Sequence, residues 1–267
     1  LPLQSQLKKI AIIGDFAKTP RYQGAGSSQV RPTQIANALE ELQKLAKGTQ
    51  FSFATGYTND GETDATKIAE AVQNAKDAEV AIVFAGLPDI YESEGYDRKN
   101  IDMPEGHNQL IAAVAKANKN VIVVLMNGAA VSMPWKNDVK AIVEAYLGGQ
   151  AGGGAVADIL TGKVNPSGKL SETFPVRTED TPTATDFPSK DGTATYGEGV
   201  FIGYRYYDKK KIEPNFPFGY GMSYTTFHYS DIKSSTTNAK DTDAITIAFK
   251  VKNTGAVAGK EIAELYV

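Results

Sequence analysis

The chain has 267 residues, 42% of them hydrophobic and 22% charged, which suits one large domain or a domain with a smaller module beside it. Its 28 basic and 31 acidic residues give a net charge of −3, so no basic surplus exists to gather phosphates and a nucleic-acid partner is not expected. It holds no cysteine, which excludes a disulfide framework, thiolate catalysis and cysteine metal sites, and apolar runs such as Val121 to Met126 are too short to span a membrane.

Lys8 to Gly14 is a β-branched run closed by glycine and reads as a buried parallel strand. Thr33 to Lys47 carries Ile35, Leu39, Leu42 and Leu45 at helical spacing. Gln50 to Gly56 alternates as a strand, and Asp64 to Asp77 is a helix with Ile68, Ala71, Val72 and Ala75 on one face. Val80 to Gly86 is a second buried strand, followed by a polar loop from Leu87 to Met103. A helix over Glu105 to Asn118, a strand over Asn120 to Asn127, a strand within Val139 to Tyr146 and a helix over Gln150 to Thr161 complete the series. This alternation predicts an α/β fold, a mostly parallel sheet with helices on both faces. In such sheets ligands bind at the carboxyl ends of strands, where the Leu87 to Met103 loop lies.

Beyond Phe174 the composition changes. Thr178 to Thr195 is rich in Thr, Pro, Asp and Ser and reads as a long surface loop. Gly199 to Tyr207 and Asn215 to Tyr224 are aromatic and glycine-rich. From Thr225 the pattern is all-β, with strands expected over Thr226 to Ile232, Ala244 to Lys252 and Gly259 to Val267, and a turn signal at Asn253-Thr254-Gly255. Two or three strands do not make a stable sandwich, so this last module reads as partial. The start, Leu1-Pro2-Leu3-Gln4, lacks the basic and apolar segments of a signal peptide; both ends read as cuts within a longer chain, and the compartment is left open.

The Leu87 to Met103 loop gathers Asp89, Glu92, Glu94, Asp97 and Asp102 beside Tyr91 and Tyr96. Carboxylates beside aromatics suit sugars, whose ring faces stack on aromatics and whose hydroxyls bond to acids. Glycoside hydrolysis further requires a carboxyl group that protonates the leaving oxygen. On composition alone, a solvated connection is the better reading of this loop. Gln23-Gly24-Ala25-Gly26-Ser27-Ser28 is a weak candidate phosphate cradle, without the spacing of a dinucleotide or P-loop motif. Gly148-Gly149 and Gly152-Gly153-Gly154 read as a tight turn and close packing. The two histidines, His107 and His228, have no partner at ligand spacing, and no zinc site or Gly-x-Ser-x-Gly elbow is expected. Trp135 reads as core.

Five motifs in order resemble the C-terminal half of glycoside hydrolase family 3, the β-glucosidase and β-xylosidase family. They are Lys9 to Gly14 with Arg21-Tyr22-Gln23-Gly24-Ala25-Gly26-Ser27-Ser28; Ser93-Glu94-Gly95-Tyr96-Asp97-Arg98 with Ile101-Asp102-Met103-Pro104; Gly162 to Leu170 with Thr173-Phe174-Pro175; Tyr196 to Asp208; and Phe216 to Tyr224. The resemblance implies an α/β sandwich domain over 1–177, a linker loop packing on it over 178–223 and a partial fibronectin type III-like domain over 224–267. It also implies an N-terminal TIM barrel of the same full-length chain that supplies an aspartate nucleophile, a β-linked oligosaccharide or glycoside as substrate, and no cofactor or metal.

On the resemblance Glu94, the glutamate before Gly-Tyr-Asp-Arg, is the general acid/base of a retaining β-glycosidase, with β-glucosidase the default. Glu92 is its rival but lacks the following glycine. Tyr96 is expected to border the aglycone subsite. Asp97 and Arg98 are expected to pair and support the loop. Because the nucleophile lies outside it, the fragment is expected to be inactive by itself. Two other readings stand beside this one: a non-catalytic carbohydrate-binding or interaction module, and a flavodoxin-like or nucleotide-binding domain.

Overall fold

A computed structural model of the chain describes residues 1–189 and 191–266. The aliphatic runs pair into a parallel five-stranded sheet. Its strands are β1 (Lys9–Ile13), β2 (Gln50–Ala54), β3 (Val80–Gly86), β4 (Val121–Met126) and β5 (Ala141–Glu144), in the order β2-β1-β3-β4-β5. β3 is central and buried after its first residue, and β4 is buried throughout, as strands covered on both faces must be.

Two helix pairs cover the sheet. α1 (Ala38–Leu45) packs against α4 (Gly152–Thr161), and α2 (Ala65–Lys76) packs against α3 (Glu105–Ala117). Their inward residues, such as Leu39 and Leu42 of α1 and Leu110, Ile111 and Val114 of α3, join one core with the strands. Trp135 is buried there, its Nε1 donating to Asn108 Oδ1 at 3.0 Å.

The expected elements of the sheet are present, with shorter bounds set by caps. The first helix begins at Ala38 rather than Thr33 because Asn37 is extended and its side chain accepts from Glu40 N at 2.9 Å. Residues 33–36 run outside the helix, and Ala36 N bonds Gln150 O instead. Asp64 caps α2 in the same way, accepting from Lys67 N. Gly153 explains one part of the glycine run at α4: a Cβ there would lie 2.4 Å from Ala36 O, so the helix meets the chain before α1 at backbone distance.

After α4 the motif Gly162 to Leu170 acts as a clasp. Gly162 ends the helix in the left-handed region at φ 76°. Asn165 Oδ1 accepts from Ser223 Oγ and Tyr224 N, and its Nδ2 donates to Ala258 O. Residues 170–174 and 216–220 exchange backbone bonds, including Phe174 N to Phe216 O at 2.8 Å, so the segment after the surface loop returns to the sandwich. Between them lies α5 (Tyr204–Lys210), which the aromatic composition did not disclose; Tyr204 stacks on Phe218 and Tyr207 is buried. Downstream, β6 (Phe227–Ser234) and β7 (Ile247–Asn253) form an antiparallel pair. The strand expected over Gly259 to Val267 does not form across 259–266, and Val267 lies outside the described residues. Among the described residues that segment has no ladder partner, and side chains hold it, such as Tyr229 OH donating to Glu261 at 3.1 Å.

Gly153→Ala is expected to push α1 and α4 apart and to destabilise the fold by about 1–3 kcal/mol, the usual cost of overpacking, read from the urea midpoint.

Candidate active site

The order β2-β1-β3-β4-β5 reverses its winding between β1 and β3, and at such a point the connections leaving neighbouring strands diverge to opposite faces and open a crevice. The connection after β1 supplies Arg21 to Ser28, and the connection after β3 supplies Leu87 to Met103. The two meet at that edge: Ala25 bridges Ser93, and Glu94 N donates to Ala25 O at 3.2 Å.

The second connection is anchored at three places. At its start, buried Arg21 donates to Leu87 O at 2.5 Å, Asp89 Oδ1 at 3.2 Å, Glu92 Oε2 at 2.7 Å and Glu92 O at 2.8 Å. Glu92 Oε2 also accepts from Gly128 N at 2.7 Å, so the connection after β4 joins in. At its end, Arg98 Nη1 donates to Ala130 O at 3.1 Å, Ser132 Oγ to Asp102 Oδ1 at 2.6 Å, and Ile101 N to Thr178 Oγ1 at 3.1 Å. In the middle sits Glu94.

Glu94 is exposed. Its Oε2 accepts from Ser27 N at 2.7 Å and from the Ser27 hydroxyl. Those donors, the hydroxyl first, hold the Glu94 carboxyl below its ordinary range. Gly26 makes the approach possible: it has φ 108°, and a Cβ there would fall 2.5 Å from Glu94 Cβ. The glycine-rich stretch after β1 therefore does cradle an anion, and the anion is the Glu94 side chain. A polar cleft of about 450 Å³ opens beside it, lined by Arg21, Gln23, Gly26, Ser27, Arg31 and Asp89 among others.

The other residues named from sequence take up distinct positions. Tyr96 is 50% exposed, and its hydroxyl donates to Asp89 O at 2.8 Å, which sets its ring on the loop's outer side. Asp97 and Arg98 do not pair. Asp97 is exposed and makes no ion pair among the described residues, because Arg98, partly buried, turns inward to Ala130 O. Arg98 bonds a backbone carbonyl of the connection after β4 rather than its neighbour. Glu92 lies inside the Arg21 clamp, with both flanking connections bonded to one of its oxygens.

Sequence reading assigned no role to Glu144, at the carboxyl end of β5. Part of the residue reaches solvent, but its carboxyl is enclosed by protein. Burial, opposed by hydrogen bonds from Tyr146 N at 2.9 Å and Asn127 Nδ2 at 3.3 Å, pushes its pKa up to about 8. Glu172, within its field, is also raised, by burial first. Only a lone acid ending a hydrophobic strand could have signalled Glu144, and such acids usually face water.

Because the folded-state pKa of Glu144 exceeds its ordinary value, its contribution to stability is complete at pH below the ordinary carboxyl range. It is lost as pH rises towards about 8. Urea midpoints should fall between pH 5 and 8, and Glu144→Gln, which cannot ionise, should flatten that part of the slope. An unchanged slope in the variant would contradict the burial of this carboxyl.

Comparison with known proteins places this geometry in a group. The family model described as the glycosyl hydrolase family 3 C-terminal domain matches residues 1–224. The chain is 53% identical to Thermostable beta-glucosidase B of Acetivibrio thermocellus over 271 aligned residues, which cover 100% of the chain and 36% of that protein. It is 45% identical to an Exo-alpha-(1->6)-L-arabinopyranosidase of Bifidobacterium breve, covering 97% of the chain and 34% of the relative. Among solved structures, a family 3 beta-glucosidase of Bifidobacterium adolescentis superposes with a TM-score of 0.88 at 46% identity, covering 96% of this chain and 37% of that one. The chain thus spans about a third of the length of the relatives it matches.

Proposed function

Since the chain belongs to glycoside hydrolase family 3 as its C-terminal domain, we propose that it supplies the general acid/base, Glu94, of a retaining β-glycosidase whose nucleophile lies on an N-terminal barrel of the full-length protein. The observation that carries this reading is the position of Glu94: an exposed carboxyl at the winding reversal of the sheet, held by Ser27 on a connection anchored on both sides of it. Glu92 is the poorer candidate, because its Oε2 is taken up by the Arg21 guanidinium and Gly128 N, which tie the loop to its two neighbours.

The chemistry follows from two carboxyl groups about 5–5.5 Å apart. Glu94 first donates a proton to the glycosidic oxygen as the nucleophile's carboxylate bonds to the anomeric carbon. It then takes a proton from the water that releases the sugar. In this chain alone the Glu94 carboxyl sits below its ordinary range, the opposite of what a general acid requires. The second half of the site corrects this: packing against the barrel removes water from Glu94, and a second carboxylate nearby disfavours its charge. On this reading the 1–177 sandwich holds the acid/base, 178–223 is a linker packed upon it, and 224–267 is part of a fibronectin type III-like domain. Tyr96 borders the aglycone subsite, and Asp97 faces solvent there.

The substrate class is a terminal β-linked sugar or its stereochemical equivalent. β-Glucosides are the first choice, supported by the names of the relatives, although one of them is called an exo-alpha-(1->6)-L-arabinopyranosidase. A binding-only module is disfavoured because binding alone does not require a free carboxyl anchored so firmly.

The test is Glu94→Gln in the full-length protein. Turnover of a glycoside with a poor leaving group should fall about 10²–10⁴-fold, the usual worth of general acid catalysis, while an activated aryl glycoside loses far less. In the same assay the 267-residue chain alone should give no turnover above background. Equal activity of wild type and variant on both substrates would refute the assignment.

A further inference from the structure

Glu94 presents its two carboxyl oxygens unequally. Oε2 accepts both the Ser27 backbone N–H, at 2.7 Å, and the Ser27 hydroxyl, whereas no hydrogen bond to Oε1 exists among the described residues. The backbone fixes this arrangement from both sides. Glu94 N is tied to Ala25 O, two residues before Ser27, and Gly26 lets the chains approach so closely that any side chain there would strike Glu94. The charged groups on the two connections are Asp15, Lys18, Arg21 and Arg31 on one, and Asp89, Glu92, Asp97, Arg98, Lys99 and Asp102 on the other. Arg21 is paired with Asp89 and Glu92, Arg98 is turned to Ala130, Asp102 accepts from Ser132, and none of the ten is bonded to Glu94. Ser27 is thus the group in direct contact with the carboxyl.

We propose that Ser27 is a positioning residue for the acid/base: it fixes Oε2 with two donors and leaves Oε1 as the oxygen that exchanges the proton. This rests on the reading of Glu94 given above. In the first step the proton on Oε1 passes to the glycosidic oxygen as the bond from that oxygen to the anomeric carbon breaks and the nucleophile's carboxylate bonds to the same carbon. In the second, water gives a proton to Oε1, its oxygen bonds to the anomeric carbon and the carboxylate leaves. Oε2 keeps its donors through both steps. The carboxyl plane is therefore held while the proton comes and goes, which avoids reorganisation between the two half-reactions.

The two donors also favour the charged form. Removing the hydroxyl should move every titration of Glu94 to higher pH, and a purely structural serine would not. Two measurements separate this proposal from the reading it rests on. The first is a carbon-13 NMR titration of the Glu94 carboxyl in this chain, assigned by the signal lost in Glu94→Gln, for wild type, Ser27→Ala and Ser27→Thr. The Ala variant should titrate at higher pH than wild type, and the Thr variant, which keeps the hydroxyl, should return towards it. The second is the pH profile of kcat/KM in the full-length protein. Its fall at high pH reports the free enzyme's acid and should shift upward with Ser27→Ala. An unchanged Glu94 midpoint in Ser27→Ala overturns the proposal. A raised midpoint with an unmoved rate profile overturns the acid/base role of Glu94, and with it the proton traffic assigned to Oε1.

Discussion

The reversal of winding between β1 and β3 is the constraint on which the rest depends. Right-handed crossovers send the chain after β1 to one face of the sheet and the chain after β3 to the other, so α1 and α4 lie together and α2 and α3 lie together. Neighbouring strands whose connections part in this way leave an open edge with no helix over it. Both connections start there, and each finds its closest polar partner in the other. Arg21 reaches across to Glu92, and Ser27 to Glu94. A carboxyl offered at that edge is both reachable from outside and fixed from within.

Three glutamates near this edge show how environment separates similar side chains. Glu92 is bound by a buried guanidinium and a backbone amide and serves to hold the loop. Glu144 is enclosed by protein and favours its neutral form. Glu94 is open to solvent and held on one oxygen by two donors of Ser27. Of the three, only Glu94 combines access from solvent with a carboxyl held by neutral donors alone.

Much of this was legible in the residues. The period of the apolar runs identified all five sheet strands and all four sandwich helices, because strands buried on both faces read as continuous aliphatic blocks. The errors fall where local signals compete. Ile35 fits the helical stripe but lies before the Asn37 cap and is exposed. α5 has no apolar stripe beyond its tyrosines, and the segment 259–266 has strand-like composition without a neighbour to pair with. At the site, the glycine-rich stretch after β1 is only a weak candidate for cradling phosphate, and nothing in its spacing shows that a carboxylate of the same chain lies there instead. Asp97 and Arg98, adjacent in sequence, suggested a pair; an extended loop points neighbours apart, and Arg98 found a carbonyl instead.

A single exposed carboxyl with its charge stabilised is a poor acid, and it becomes a good one only when covered and set near another. The most direct measurement is a crystal structure of the full-length protein with an intact glycoside bound. The account predicts Glu94 Oε1 within about 3 Å of the glycosidic oxygen, with Oε2 still on Ser27 and a second carboxyl about 5–5.5 Å away. Glu94 turned from the sugar, or Glu92 in its place, would contradict it.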